Sequence, residues 1–421
     1  MNYFRINQLA LLSLFSSSFK VLVGPITLLF LAKTLSSEEL GFYYAFFSLV
    51  AMKQLLEVGM TNVLKQFYSY QSNSPFNVGS RKKINDYFIF SIKWYLILAF
   101  VFSILSIFIG YVFFYDYSGS VDWKGSWYLL IFGSFFSLLI MPLQSYLDGS
   151  QYQKELQKYN IVSQLCGTCV LWLSLYFGLS LFSIGMSTLV TSFSFVLCVF
   201  FNRVNIFKFS FTTRNFKFRS VFFELWPLLK RTSLVWFLGY FYWNGFNIIA
   251  FKYLGPISAG IIGLSLSLGR AGLNIAISIV ISHMTIYAKD IANEKYDSAY
   301  DAFKKNSLSG FVILLLGYSV FLIAQLNFES FYFFSKVLKI EEIMWMFMFF
   351  VLSYVISSMD NFTRCYKVEK FVFIQFVNSI ITPLSFFLSI YAGFPYFSGP
   401  AMSLVLIMIM TFSVFKEIVR G

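Results

Sequence analysis

Twelve apolar stretches of about 20 residues follow one another along this chain, and that succession leaves few folds open to it. A helix rising 1.5 Å per residue needs about 20 mainly apolar residues to cross a bilayer, and helices keep their backbone hydrogen bonds internal where there is no water. The stretches fall at roughly 9–32, 41–61, 88–114, 126–147, 160–178, 182–201, 228–251, 257–286, 307–327, 343–363, 371–392 and 394–415. Very short turns around Gly178 and Ser180, and around Gly393 and Pro395, predict two tight helical hairpins. Charged residues make up 12% of the chain and mean hydropathy is +0.71, whereas an ordinary soluble domain carries about 25% charged residues. The chain reads as an all-α membrane protein.

In a soluble protein a net charge of +13 would point to nucleic acid. Here 21 of the 32 basic residues fall in one alternate set of loops, which also holds both termini, and five fall in the other. The positive-inside rule therefore places both termini in the cytoplasm, and nucleic acid is not expected as a partner. The first apolar stretch lacks a small-residue cleavage site and is longer than a signal-peptide core, so it is expected to remain as a span. Cys166, Cys169, Cys198 and Cys365 lie within or beside apolar segments. They imply neither a disulfide framework nor a metal cage.

The two halves look like copies. Lys33-Thr34-Leu35 followed by Gly41 recurs as Lys252-Tyr253-Leu254 followed by Gly260, an offset of 219 that also carries the start of the third span onto the ninth. Six spans per half is an even number, so the copies share one orientation, as in parallel-repeat transporters. The expected division is an N-terminal six-helix bundle at 1–201, a basic cytoplasmic linker at 202–226 and a C-terminal six-helix bundle at 227–421, arranged around a central cavity.

Six basic residues lie within the spans, and Lys20, Lys53 and Arg270 fall nearest the middle. A charge at the bilayer centre costs about 2.5–3.5 kcal/mol on insertion scales, which predicts that these three line a wet cavity and receive an anion. Ser13, Ser17, Lys20, Gly24 and Thr27 share one face of the first span, and Gly24-Pro25 predicts a bend or hinge there. Glu57 stands four residues from Lys53, so an internal ion pair is the competing reading for that lysine. Gly269 and Gly272 beside Arg270 are expected to leave its guanidinium room to face the cavity. Lys93, Lys230, Arg231 and Asp360 lie near a membrane surface and can snorkel. The single histidine, His283, has no companion with which to build a metal site.

Leu31-Ala-Lys-Thr-Leu-Ser-Ser-Glu-Glu-Leu-Gly41-Phe-Tyr43, after Gly24-Pro25 and before Leu56-Glu57-Val58-Gly59, resembles the opening of the Wzx-type flippases. These are polysaccharide exporters of the superfamily that also holds the multidrug and toxic-compound extrusion transporters. Tyr253-Leu254-Gly255-Pro256 with Gly260 resembles the start of their second half, and Glu57 stands where the family often has Asp. The resemblance implies two six-helix bundles facing a cavity lined chiefly by spans one, two, seven and eight. It also implies a bacterial inner-membrane protein that flips undecaprenyl-pyrophosphate-linked oligosaccharide repeat units of O-antigen or capsule type.

The sequence-based reading is thus a flippase working by alternating access, with Lys20, Lys53 and Arg270 binding the pyrophosphate. Glu57 either neutralises Lys53 between cargoes or couples to a proton or sodium gradient. No cofactor or metal is expected, and the expected partners are the lipid-linked glycan, the bilayer and the polysaccharide polymerase machinery. Two rivals remain: a cationic-drug exporter of the same fold, disfavoured by a positive cavity, and a polymerase or ligase of lipid-linked glycans. The outward loops are too short for the latter's active site.

Overall fold

The computed structural model describes residues 23–72, 78–202, 216–366, 368 and 370–420. Helices carry the architecture: α1 (Val23–Thr34), α2 (Ser37–Val50), α3 (Lys53–Glu57), α4 (Met60–Ser72), α5 (Val78–Phe113), α6 (Trp123–Leu139), α7 (Met141–Gly149), α8 (Gln153–Tyr176) and α9 (Phe182–Phe201) make up the first part. After these come the long run α10 (Phe218–Ser282), α11 (Met284–Ala292), α12 (Tyr296–Asn327), α13 (Ile340–Thr363), α14 (Val372–Ala392) and α15 (Ser398–Arg420). No strand occurs among the described residues. Eight of these segments are long and apolar enough to cross a membrane, and one of them, Phe237–Ala292, contains both predicted spans seven and eight. With α1, α2 and α8 added, the helices fall on the twelve predicted spans.

The 65-residue run α10 is interrupted at Gly255, whose φ of 81° and ψ of 171° is open to glycine and strained for any residue with a Cβ. Pro256 then opens the next helix, where its missing N–H would have no intrahelical partner. At the equivalent place in the first half, the N-terminus of α2 is closed by a capping box. The Ser36 N–H donates to Glu39 Oε2 (2.7 Å) and the Glu39 N–H donates to Ser36 Oγ (3.1 Å).

The described residues form two compact units, one of those up to 23 and from 45 to 237, the other of those at 24–44 and from 238 onward. The first unit packs α5 to α9 through small-residue contacts and aromatic rings. A Cβ on Gly133 would press on the Gly185 carbonyl, and one on Gly167 would overlap Thr191, so α6, α8 and α9 approach closely. Residues 216–226, expected to be linker, pack here instead. Phe218 and Phe222 meet Phe90 and Trp94 of α5, Lys93 lies 4.8 Å over the Phe216 ring, and Glu224 accepts from Lys83 (2.7 Å) and the Tyr87 hydroxyl (2.8 Å).

In the second unit, α2 crosses the helix beginning at Pro256. A Cβ on Gly41 would overlap the Pro256 carbonyl oxygen, and a Cβ on Gly260 would overlap the Ser37 carbonyl oxygen. Ser37 and Pro256 are 219 apart in sequence, as are Gly41 and Gly260. The same contact is therefore made twice, once from each repeat, as across a local two-fold axis. Tyr44 and Gly263, also 219 apart, meet one turn further along. Beside this crossing the Lys336 ammonium donates to the carbonyls of Ala32 (2.7 Å) and Leu35 (2.5 Å), capping the C-terminus of α1. Burial lowers the pKa of Lys336, and nearby Glu39 opposes the shift.

The helices also extend where loops were expected. α5 begins at Val78 and α12 at Tyr296, about ten residues before the predicted third and ninth spans, and α4 and α11 occupy much of the basic loops at 62–87 and 287–306. Those segments are too polar for a hydropathy ruler, yet amphipathic enough to stay helical against neighbouring helices.

Candidate functional site

Lys53 stands at a break in the second span, which was predicted to run unbroken from 41 to 61. The Gln54 N–H reaches back to Ala51 and the Leu55 N–H to Met52, three-residue steps that tighten the backbone at Ala51-Met52-Lys53. No glycine or proline occurs at these positions, so the sequence carries no local signal for the break. The Lys53 ammonium donates to Ser137 Oγ on α6 (3.2 Å), whose hydroxyl in turn donates to the Ser134 carbonyl (2.8 Å).

Glu57 does not close onto Lys53. Val58 (φ 49°) and Gly59 (φ 80°) turn the chain through the left-handed region, which is unusual for a β-branched residue. The Glu57 carboxylate is thereby placed at the N-terminus of α4. Its Oε1 accepts from the Thr61 backbone N–H (3.1 Å), from the Thr61 hydroxyl and from the Tyr95 hydroxyl (2.8 Å). A carboxylate at a helix N-terminus is favoured by the exposed N–H groups and the helix dipole. Among the described residues no ion pair joins Lys53 to Glu57. The competing reading of a closed ion pair is not met: Lys53 ends on a serine and Glu57 on a helix cap, and the two charges interact only beyond ion-pair distance.

Arg270 lies midway along the helix 256–282. Its guanidinium donates to the Trp243 carbonyl and sits 5.3 Å from the centroid of the Trp243 ring, a carbonyl and cation–π environment. The phenols of Tyr44 and Tyr242 are near enough to interact with it electrostatically, and Tyr242 shares a hydrogen bond of 3.1 Å with Ser353. Arg270 Nε is buried with no hydrogen-bond partner. Gly269 and Gly272 were expected from sequence to leave room for the guanidinium, but their open sides are filled by aromatic rings instead. A Cβ on Gly269 would overlap the Phe350 ring and one on Gly272 would press on Tyr318, whose hydroxyl donates to the Gly269 carbonyl (2.7 Å). These glycines let α12 and α13 approach the helix.

Lys20 lies outside the described residues. Gly24 and Pro25 are helical, a Cβ on Gly24 would meet no atom within 4 Å, and Gly24 is the first residue of the segment that packs into the second unit. Lys53 belongs to the first unit and Arg270 to the second. Among the described residues no group of three His, Cys, Asp or Glu side chains is placed to hold a metal ion. His283 instead precedes α11, with Nδ1 2.9 Å from the Ile279 carbonyl.

Sequence reasoning missed Trp243 and Tyr242 as neighbours of Arg270, because residues 27 apart on two helices leave no periodic signal. It also missed a cavity of about 760 Å³ at the loop end of the second unit, lined among others by Gln325, Glu329, Lys339, Glu342 and Tyr396. There Glu342 Oε2 accepts from the Tyr396 N–H (2.8 Å), and burial raises the Tyr396 phenol pKa.

No family model matches the sequence, and no curated protein matches it. Solved structures do. A multidrug resistance MATE family transporter of the MOP superfamily, in its inward-facing conformation, aligns with a TM-score of 0.73 at 11% identity, over 95% of this chain and 96% of that one. The fold is that of the MATE transporters. An outward-facing conformation of a multidrug resistance MATE family transporter aligns at a TM-score of 0.59 and 10% identity over 95% and 94% of the two chains. A MATE protein in a bent conformation aligns at 0.59 and 12% over 96% and 92%. The MATE fold accounts for the twelve helices and the internal repeat; at these identities it carries no statement about cargo.

Proposed function

We propose that this protein is a flippase for lipid-linked oligosaccharides, moving an undecaprenyl-pyrophosphate-linked repeat unit across the bacterial cytoplasmic membrane by alternating access. The observation that carries the reading is the company its intramembrane cations keep. Lys53 contacts a serine hydroxyl and interacts with the Glu57 charge only beyond ion-pair distance, Arg270 contacts a backbone carbonyl and an indole face, and among the described residues neither has a carboxylate within 4.0 Å. Positive charge held in apolar helices without a carboxylate in direct contact is costly until an anion arrives. A pyrophosphate supplies charge-assisted hydrogen bonds to both kinds of group, and Arg270 Nε is a buried donor without a partner.

The fold supports transport over glycan polymerisation, since the structural neighbours are transporters captured in inward- and outward-facing conformations. A second reading has its own support. Those neighbours are multidrug resistance proteins, and Glu57 supplies a carboxylate within the second span. On this reading the cargo is a cation and Glu57 attracts it.

Leaflet-resolved labelling of the lipid-linked intermediate, in cells with and without the protein, decides between them. A flippase leaves the intermediate on the cytoplasmic face when it is deleted. A drug exporter leaves the intermediate's distribution unchanged and lowers resistance to cationic compounds.

A further inference from the structure

A groove of about 570 Å³ lies at one end of the second unit between α12, α13 and α15, remote in sequence from Lys53 and Arg270. Its floor is aromatic: Phe303 and Phe415 line it with centroids 5.8 Å apart, and Phe303 stacks on the buried Phe362 behind it at 4.3 Å. Its walls open outward, with Leu308 60% and Phe412 38% exposed. In a membrane-spanning chain, apolar side chains exposed at this depth face acyl chains rather than water.

Lys304 on α12 and Lys416 on α15 both line this groove and are both exposed. Each stands one helical turn beyond an exposed apolar residue, Lys304 before Leu308 and Lys416 after Phe412, and the two helices run in opposite senses here, so both lysines mark the same end. α12 is 32 residues long, roughly 48 Å at 1.5 Å per residue, against a hydrocarbon core of about 30 Å. Its first turns therefore extend into the head-group layer. Asp297 also lines the mouth, and among the described residues neither lysine is within 4.0 Å of a carboxylate.

We infer that this groove is a phospholipid site: an acyl chain lies along Leu308, Phe311 and Phe412 while the phosphate is held between Lys304 and Lys416. The volume lies within the range of about 300–1,000 Å³ typical of ligand sites. Two ammonium groups at head-group level attract an anionic phosphate, and the aromatic floor supplies apolar area for the chain. Asp297 leaves room for a cationic head-group substituent without removing the phosphate contact. The inference stands independently of which cargo is transported.

Native mass spectrometry of the full-length protein, delipidated in mild detergent and titrated with phosphatidylglycerol, tests it. The wild type should retain one lipid more tightly than the rest, and Lys304→Gln with Lys416→Gln should weaken that binding about tenfold. Lys289→Gln with Lys295→Gln, basic residues outside the lining, should leave it unchanged. Glycerol 3-phosphate should not displace the lipid, and a diazirine-bearing acyl chain should label residues 308–311 and 412–415. Equal weakening by both double variants, full displacement by glycerol 3-phosphate, or labelling spread evenly over the other spans each overturns the proposal. The first outcome means general surface charge, the second a site for free phosphate, and the third an unspecific lipid annulus.

Discussion

Lys53 and Arg270 are the same kind of residue to a hydropathy scan, yet they occupy different chemistry: one ends on a hydroxyl at a helix break, the other on a carbonyl and an indole face. Lys53→Gln and Arg270→Gln remove charge while keeping a hydrogen-bonding head, so normal membrane abundance with at least tenfold less lipid-linked glycan delivered to the outer leaflet is expected of each. Unchanged delivery in both, measured by leaflet labelling at matched abundance, would falsify their role in binding the anion. Glu57 separates differently. Glu57→Gln retains an acceptor for Thr61 and Tyr95, whereas Glu57→Ala loses the cap at a cost of about 1 kcal/mol. If the carboxylate carries charge for transport, the Gln variant keeps its Tm and loses activity; if Glu57 only caps α4, the Gln variant keeps both.

At the scale of elements, the crossing of α2 with the helix from Pro256 depends on two glycines that meet backbone, which cannot rotate away. Gly41→Val and Gly260→Val should each destabilise the fold by about 1–3 kcal/mol or more, the usual range for overpacking, read as a lower Tm in detergent. Gly317→Ala, where an added Cβ meets nothing within 4 Å, is the control expected to leave Tm unchanged or slightly raised. Lys336 ties a loop to the last carbonyls of α1. Lys336→Met leaves the Ala32 and Leu35 carbonyls without this donor, and a charged hydrogen bond is worth about 1.5–3 kcal/mol. A Tm equal to wild type in that variant would show that water replaces the ammonium at no cost.

For the whole molecule, the twelve-helix layout, the internal repeat and the concentration of basic residues toward one set of connections could all be read from the letters. Hydrocarbon imposes them: each span must be about 20 apolar residues with its backbone bonds satisfied internally, so the sequence records every crossing. The repeat offset of 219 was legible from a few shared letters, and its reciprocal contacts at Gly41 and Gly260 give those letters a physical cause. Reconstituted in vesicles, the protein is expected to move a short-chain pyrophosphate-linked glycan between leaflets. Efflux of a cationic dye with no glycan movement would instead favour the drug-exporter reading.

The sequence by itself thus determined which segments are helices long and apolar enough to cross a membrane and which of them carry a cation, because hydrophobic length and charge are local to a span. Only the tertiary structure decided what those cations touch. Ser137 reaches Lys53 from 84 residues away and Trp243 reaches Arg270 from 27, while Glu57 turns from its neighbouring lysine to cap α4. The shape of the chain at Ala51–Gly59 and the role of Gly269 and Gly272 belong to the same class. Helix packing brings residues together without regard to their separation in sequence, and a pattern of 3.6 residues per turn says which face a residue shares, not which helix will come to meet it.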